Sequence, residues 1–152
     1  MDKSLNISPI TTEEYPQVVD LWEASVRATH DFLTEADIQR FKPLILNQYL
    51  HMVKLVCLRD AEQQIVGFAG VSANKLEMLF VDPEKRGQGI GKQLLQHAIL
   101  KMGITDVDVN EQNKQAVGFY LHEGFEVIKR SALDGQGNPF PILHLRISSK
   151  KS

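Results

Sequence analysis

The segment Arg86-Gly87-Gln88-Gly89-Ile90-Gly91-Lys92 sets three glycines at alternate positions between two cationic side chains. Glycine adopts backbone angles closed to other residues and lets a ligand approach the main chain closely. The flanking positive charge suits an anionic ligand. An apolar run, KLEMLFVD (75–82), precedes the segment, and QLLQHAILKM follows it with apolar residues at helical spacing. That order places the glycines at a helix N-terminus, where unpaired N–H groups and a partial positive charge suit a pyrophosphate. Arg86 adds a forked donor and Lys92 a second cation. Two familiar phosphate loops do not fit. A P-loop needs glycine at Arg86 and a hydroxyl residue at Gln93. The dinucleotide fingerprint needs glycine at Lys92 or Leu94. What survives is Arg86-x-x-Gly89-x-Gly91, whose ligand-free alternative is a tight structural corner.

LFVDPEKRGQGIGKQLL resembles the acetyl-CoA signature of the GNAT superfamily of N-acetyltransferases. Downstream, NKQAVGFYLHEGF (113–125) resembles the second half of that signature, N-x-x-A-x-x-F-Y-x-x-x-G-F. The two occur in order with a short strand between them. ATHDFLT, VNEQNKQAVGFY and DGQGNPFPIL are similar to segments of small bacterial members, so the resemblance extends over most of the chain.

The resemblance implies transfer of acetyl from acetyl-CoA to a primary amine by direct attack, without a metal. It implies that the pantetheine arm pairs with the backbone of Leu79, Phe80 and Val81 in the manner of an added strand. The pyrophosphate then lies on the amides of Arg86, Gly87, Gln88, Gly89, Ile90, Gly91 and Lys92, where a side chain at Gly89 or Gly91 would crowd it. Asn113, Ala116 and Phe119 join the cofactor set, with helix capping the alternative for Asn113 and core packing that for Phe119. A backbone N–H near Leu79 is the implied oxyanion donor. Tyr120 occupies the position of the general acid to the CoA thiolate, and an unperturbed phenol, pKa about 10, is protonated at neutral pH.

The acceptor side has no motif of comparable specificity. An alkylammonium of pKa about 10.4 must lose a proton before it attacks. Glu77 and Glu111 are the candidate bases, each with an ordinary surface charge as the alternative. His30 and Asp31, in THDFL, are substrate-side candidates, with helix-end hydrogen bonding as theirs. Asp31, Glu35 and Asp37 gather negative charge there, which favours a cationic acceptor, either a small molecule or a peptide amine. Two rival readings keep the fold without the chemistry: an inactive acyl-CoA-binding or regulatory module, and an interaction domain with purely structural glycines.

The elements that position these residues follow from apolar period and punctuation. A strand over 5–10 carries Pro9, a hint of a sheet edge. Thr11 to Glu14 reads as a capping box opening a helix, and Thr34 to Asp37 repeats it before a second helix to about His51, interrupted by Pro43. Strands follow at 53–60, 64–73 and 75–82, then a helix at 89–102 closed by Gly103. A strand at 106–110, a helix at 116–124, and a hairpin of 125–133 with 139–147 complete the chain. The expected class is α/β (α+β): one domain over 1–152, with a mixed, mostly antiparallel central sheet flanked by helices on both faces.

The formal net charge of −2 offers no bulk attraction to nucleic acid or anionic membranes, so neither is an expected partner. One cysteine, Cys57, precludes an intrachain disulfide and reads as buried filler. With no signal-like or membrane-spanning apolar run, the expectation is a cytoplasmic protein, monomer or homodimer.

Overall fold

Residues 7–148 are described by a computed structural model. Leu5 and Asn6 of the expected first strand lie outside them. Seven strands form one sheet: β1 (Ile7–Pro9), β2 (Lys54–Arg59), β3 (Ile65–Ser72), β4 (Lys75–Val81), β5 (Asp106–Asn110), β6 (Phe125–Ser131) and β7 (Ile142–Ile147). Their spatial order is β1-β2-β3-β4-β5-β7-β6, which leaves Pro9 on an edge strand where its missing N–H costs nothing. All neighbours are antiparallel except β4 and β5. The helices are α1 (Tyr15–Thr29), α2 (Glu35–Asn47), α3 (Ile90–Met102) and α4 (Lys114–His122).

Alternation along β3, shifted by a bulge at Val66, sends its side chains to two separate cores. Val66, Ala69 and Val71 meet Leu94, Leu95 and Ala98 of α3, together with Val107 and Leu145. Ile65 and Phe68 meet Val18, Trp22 and Val26 of α1 and Ile38 and Ile45 of α2. The helices therefore cover both faces of the mixed sheet, as the sequence leads one to expect.

The parallel ladder between β4 and β5 is short. Only Lys75 and Leu76 register with Asp106 and Val107. Beyond Leu76 the β5-facing edge of β4 has no strand partner, and the sheet opens there. The sequence gives no sign of this opening, since each strand alone is ordinary.

Several boundaries move from their expected places, three of them for a visible local reason. The second helix ends at Asn47, not His51; Tyr49–Met52 form a 3₁₀ turn that buries Leu50 completely. Pro43 stays inside the helix. The last strand starts at Ile142 instead of Pro139, because Pro139 and Pro141 have no N–H to give to a ladder. The fourth helix starts two residues early because Asn113 caps it, its side chain accepting the Ala116 N–H at 3.2 Å.

Gly67 on β3 has a packing role that nothing in the sequence singles out. A Cβ there would lie 2.7 Å from Ile90 Cγ2 and 3.1 Å from Leu94 Cδ1, with the Phe80 carbonyl oxygen at 3.3 Å. Its bareness lets α3 press its first turn onto the sheet beside the opening. Gly67→Ala is expected to cost about 1–3 kcal/mol through overpacking. A thermal melt reads this directly, and an unchanged midpoint would show that α3 does not need so close an approach.

Candidate active site

A cavity of about 310 Å³ occupies the opening beside β4. The apolar end of β4, Leu79, Phe80 and Val81, forms one wall. The glycine turn forms the second, through Arg86, Gly87, Gly89, Ile90, Gly91 and Lys92. Asn113, Ala116, Phe119 and Tyr120 of α4 and its cap form the third. Of the expected cofactor residues only Gln88 is absent from the lining; its side chain is solvent-exposed. Four lining residues carried no sequence signal: Ser25 and Thr29 at the end of α1, Lys85 before the turn, and Gln115. Only their helix and loop placement brings them here.

The turn meets the chemical demands of a pyrophosphate. Gly87 and Gly89 have φ values of +80° and +78°, the left-handed region, and a Cβ at either would have no atom within 4 Å. The left-handed backbone, not internal packing, accounts for their bareness, and the space beside each is open. Gly91 is less restricted: its Cβ would make ordinary contacts with Val81 and Phe119 at 3.7 and 3.9 Å. Gly89 caps α3 without a side-chain bond, and Gln93 is the first amide to close a helical bond, to the Gly89 carbonyl at 3.0 Å. The N–H groups of Ile90, Gly91 and Lys92 thus have no acceptor among the described residues. Lys85, Arg86 and Lys92 likewise form no ion pair with a described residue. Cations and donors converge on one cradle.

Tyr120 is 5% exposed and is pinned edge-on by Phe119 and Phe125, with ring centroids 5.2 and 6.0 Å away. Burial pushes its phenol pKa far above the ordinary value, so the hydroxyl carries its proton throughout the neutral range. No described residue hydrogen-bonds to it.

A second cavity, of about 230 Å³, lies between α1, α2, β4 and the β6–β7 loop. His30 and Phe80 line both cavities, so the two meet at those side chains. Trp22, Phe32, Phe41, Tyr49 and Phe140 supply aromatic walls. Phe140 reaches this wall because the proline-flanked loop swings over α2, packing at a tilt against Phe32 and Phe41 with centroids 6.1 and 6.3 Å away. Glu77 and Asp134 add carboxylates. Burial raises the Glu77 pKa; the Lys75 ammonium opposes that and the Asp108 carboxylate adds to it.

The remaining acceptor-side expectations separate. His30 stands at the junction, its pKa lowered to about 4 mainly by burial, so the ring is neutral at neutral pH. Asp31 is exposed and lines neither cavity. Glu111 also lines neither; Arg130 grips it through two bonds of 2.8 and 2.9 Å, which lower its pKa. Cys57 is fully buried in β2 with its pKa raised, and lines neither cavity. No helix among the described residues is long and apolar enough to cross a membrane.

A mixed sheet that opens beside a glycine turn, with an uncapped helix N-terminus at the opening, defines the class as an acyl-CoA N-acyltransferase fold. The chain belongs to the GNAT acetyltransferases: a family model described as "Acetyltransferase (GNAT) domain" matches residues 24–140. It is an acetyl-CoA-dependent N-acetyltransferase. It is 42% identical over 142 residues to the peptidyl-lysine N-acetyltransferase YjaB of Salmonella typhimurium, covering 93% of this chain and 97% of that one. The solution structure of apo-form YjaB from Escherichia coli is similar at TM-score 0.84 and 38% identity, covering 94% and 97% of the two chains. PaiA N-acetyltransferase from Thermoplasma acidophilum, solved in complex with coenzyme A, shares the fold at TM-score 0.69 and 24% identity, covering 94% and 99%.

Proposed function

We propose that this chain, acting as one domain, acetylates the Nε of lysine side chains in peptides or proteins. The observation that carries the reading is the meeting of the two cavities at His30 and Phe80. One side offers a cationic cradle and a protonated phenol; the other offers an aromatic slot with carboxylates. A lysine suits that slot: its aliphatic stem lies along the rings, and its ammonium is attracted by both ring faces and carboxylates. The acceptor named for the YjaB relatives, peptidyl-lysine, supports the same class.

Acetyl-CoA supplies the activated thioester. The glycine turn and the α3 N-terminus hold its pyrophosphate, with Arg86 and Lys92 adding charge-assisted contacts. The open edge of β4 along Leu79–Val81 aligns its pantetheine arm, and an N–H near Leu79 faces the oxygen on which charge develops. As the new carbon–nitrogen bond forms and the carbon–sulfur bond breaks, an ammonium acceptor sheds two protons. Glu77 takes the first, through water, and passes it to solvent. Tyr120 gives its own proton to the departing sulfur and recovers the second from nitrogen, so the atoms balance. Transfer is direct; the buried Cys57 thiol, outside both cavities, offers no acyl-carrying nucleophile.

Mass spectrometry of a lysine peptide incubated with enzyme and acetyl-CoA tests this reading. One acetyl group on Nε with stoichiometric thiol release is expected. Binding of acetyl-CoA without transfer to any lysine peptide would instead favour the inactive module. Glu77 has its own test. A base works only when ionised, so the rate should rise with pH as Glu77 deprotonates, with a midpoint above the ordinary carboxylate range. Glu77→Gln should lower kcat roughly tenfold and erase that limb. A mutant with wild-type kcat and profile would remove Glu77 from the reaction.

A further inference from the structure

The hydrogen-bond partners of His30 determine which ring nitrogen carries its proton. Thr29 Oγ1 lies 2.9 Å from the Ser25 carbonyl and 2.7 Å from His30 Nδ1. A carbonyl cannot donate, so the single hydroxyl proton of Thr29 goes to Ser25, and the oxygen then accepts from Nδ1–H. An independent chain reaches the same result from the other side of the ring. Asn113 Oδ1 accepts the Ala116 N–H, which makes the amide nitrogen the atom 3.4 Å from His30 Nε2. An amide nitrogen only donates, so Nε2 is the unprotonated acceptor. Tilted contacts with Phe32 and Phe80, at 5.1 and 6.4 Å between centroids, hold the ring plane.

We propose that the Nε2 lone pair of His30, held free of its proton at the junction of the two cavities, receives an N–H of the acceptor amine and aims the nitrogen at the thioester. This rests on the lysine reading above and adds an atom to it. The bond from Asn113 at 3.4 Å is long for a hydrogen bond and is readily replaced by a closer donor. The position is also the place where a nitrogen must stand to leave the aromatic slot and face Tyr120, because His30 borders both spaces. The opposite tautomer would present an N–H that ties up the lone pair of the neutral amine, the pair needed for attack. It would also leave Nδ1 to draw the proton from Thr29, a different chemistry altogether.

The experiment pairs kinetics with a direct readout of the ring. With a lysine peptide and acetyl-CoA, His30→Ala should lower kcat about tenfold, the worth of one hydrogen bond to the reacting nitrogen, with the acetyl-CoA KM within about twofold. His30→Gln, whose Oε1 accepts from a similar place, should recover most of that loss. Long-range proton–nitrogen correlation spectra of the wild type at neutral pH should show a neutral ring protonated at Nδ1, and n-butylamine should shift the Nε2 resonance. Wild-type kcat in His30→Ala, a Gln variant as slow as Ala with an unchanged melt, or an Nε2-protonated ring would each overturn the proposal. A wild-type enzyme that acetylates no lysine peptide overturns the lysine reading instead, and the spectra with n-butylamine still decide the role of His30.

Discussion

Tyr120→Phe is expected to lower kcat about a hundredfold, within the usual range for losing a positioned proton donor, while acetyl-CoA binds as before. The change removes one oxygen and little else. Tyr120 is held through its ring, by Phe119 and Phe125, and its hydroxyl bonds to no described residue, so packing and melting temperature should hardly move. A hundredfold loss is about 2.7 kcal/mol of transition-state stabilisation. The pKa shift explains why the proton is available: burial without a charge partner makes the phenolate costly, so the group stays neutral. A phenol is a weaker acid than a thiol, so its proton moves only as negative charge builds on sulfur. Single-turnover kinetics with a fast acceptor isolates that step. A mutant chemical step within about threefold of wild type would remove Tyr120 as the acid.

The second large effect is on binding. Gly89→Glu should raise the acetyl-CoA Kd at least about a hundredfold, because it places a carboxylate in a cradle built for anions. Backbone strain contributes too, since Gly89 sits at φ +78° and a side chain there costs about 1–2 kcal/mol. Gly103 separates the two causes. It closes α3 at its other end with φ +73° and equally open surroundings, and lies outside both cavities. Gly103→Glu should therefore show a comparable fall in melting temperature with normal acetyl-CoA affinity. Calorimetry finding ordinary affinity in Gly89→Glu would sink the assignment of the turn. Equal loss in both variants would show that strain in α3, and not charge at its N-terminus, governs binding.

The two halves of the site differ in how far their residues can be read along the chain. The cofactor half is local. Arg86 to Lys92 is one turn between one strand and one helix, and Asn113 to Tyr120 is one cap and one short helix. Their spacing therefore carries the geometry, and all the residues expected there except Gln88 line one cavity. The half proposed for the acceptor is assembled from α1, α2, β4, β5, β7 and the β6–β7 loop, so no short segment records it. Glu77 and Glu111 look alike in sequence, each an acid on or after a strand. The fold sets the first, still exposed, against the slot and gives the second to Arg130. His30 and Asp31 are adjacent, yet one stands at the junction and the other in solvent.

By itself the sequence determined the order of elements, the two-faced sheet and the glycine turn before α3, because apolar period, proline and glycine act within a few residues of where they stand. Tertiary structure alone decided where β4 and β5 part, why Gly67 must be bare, which carboxylate borders the second cavity and which nitrogen of His30 is free. Each of those depends on contacts between residues far apart in the chain, and burial and hydrogen bonding set charge and proton position only once such contacts exist.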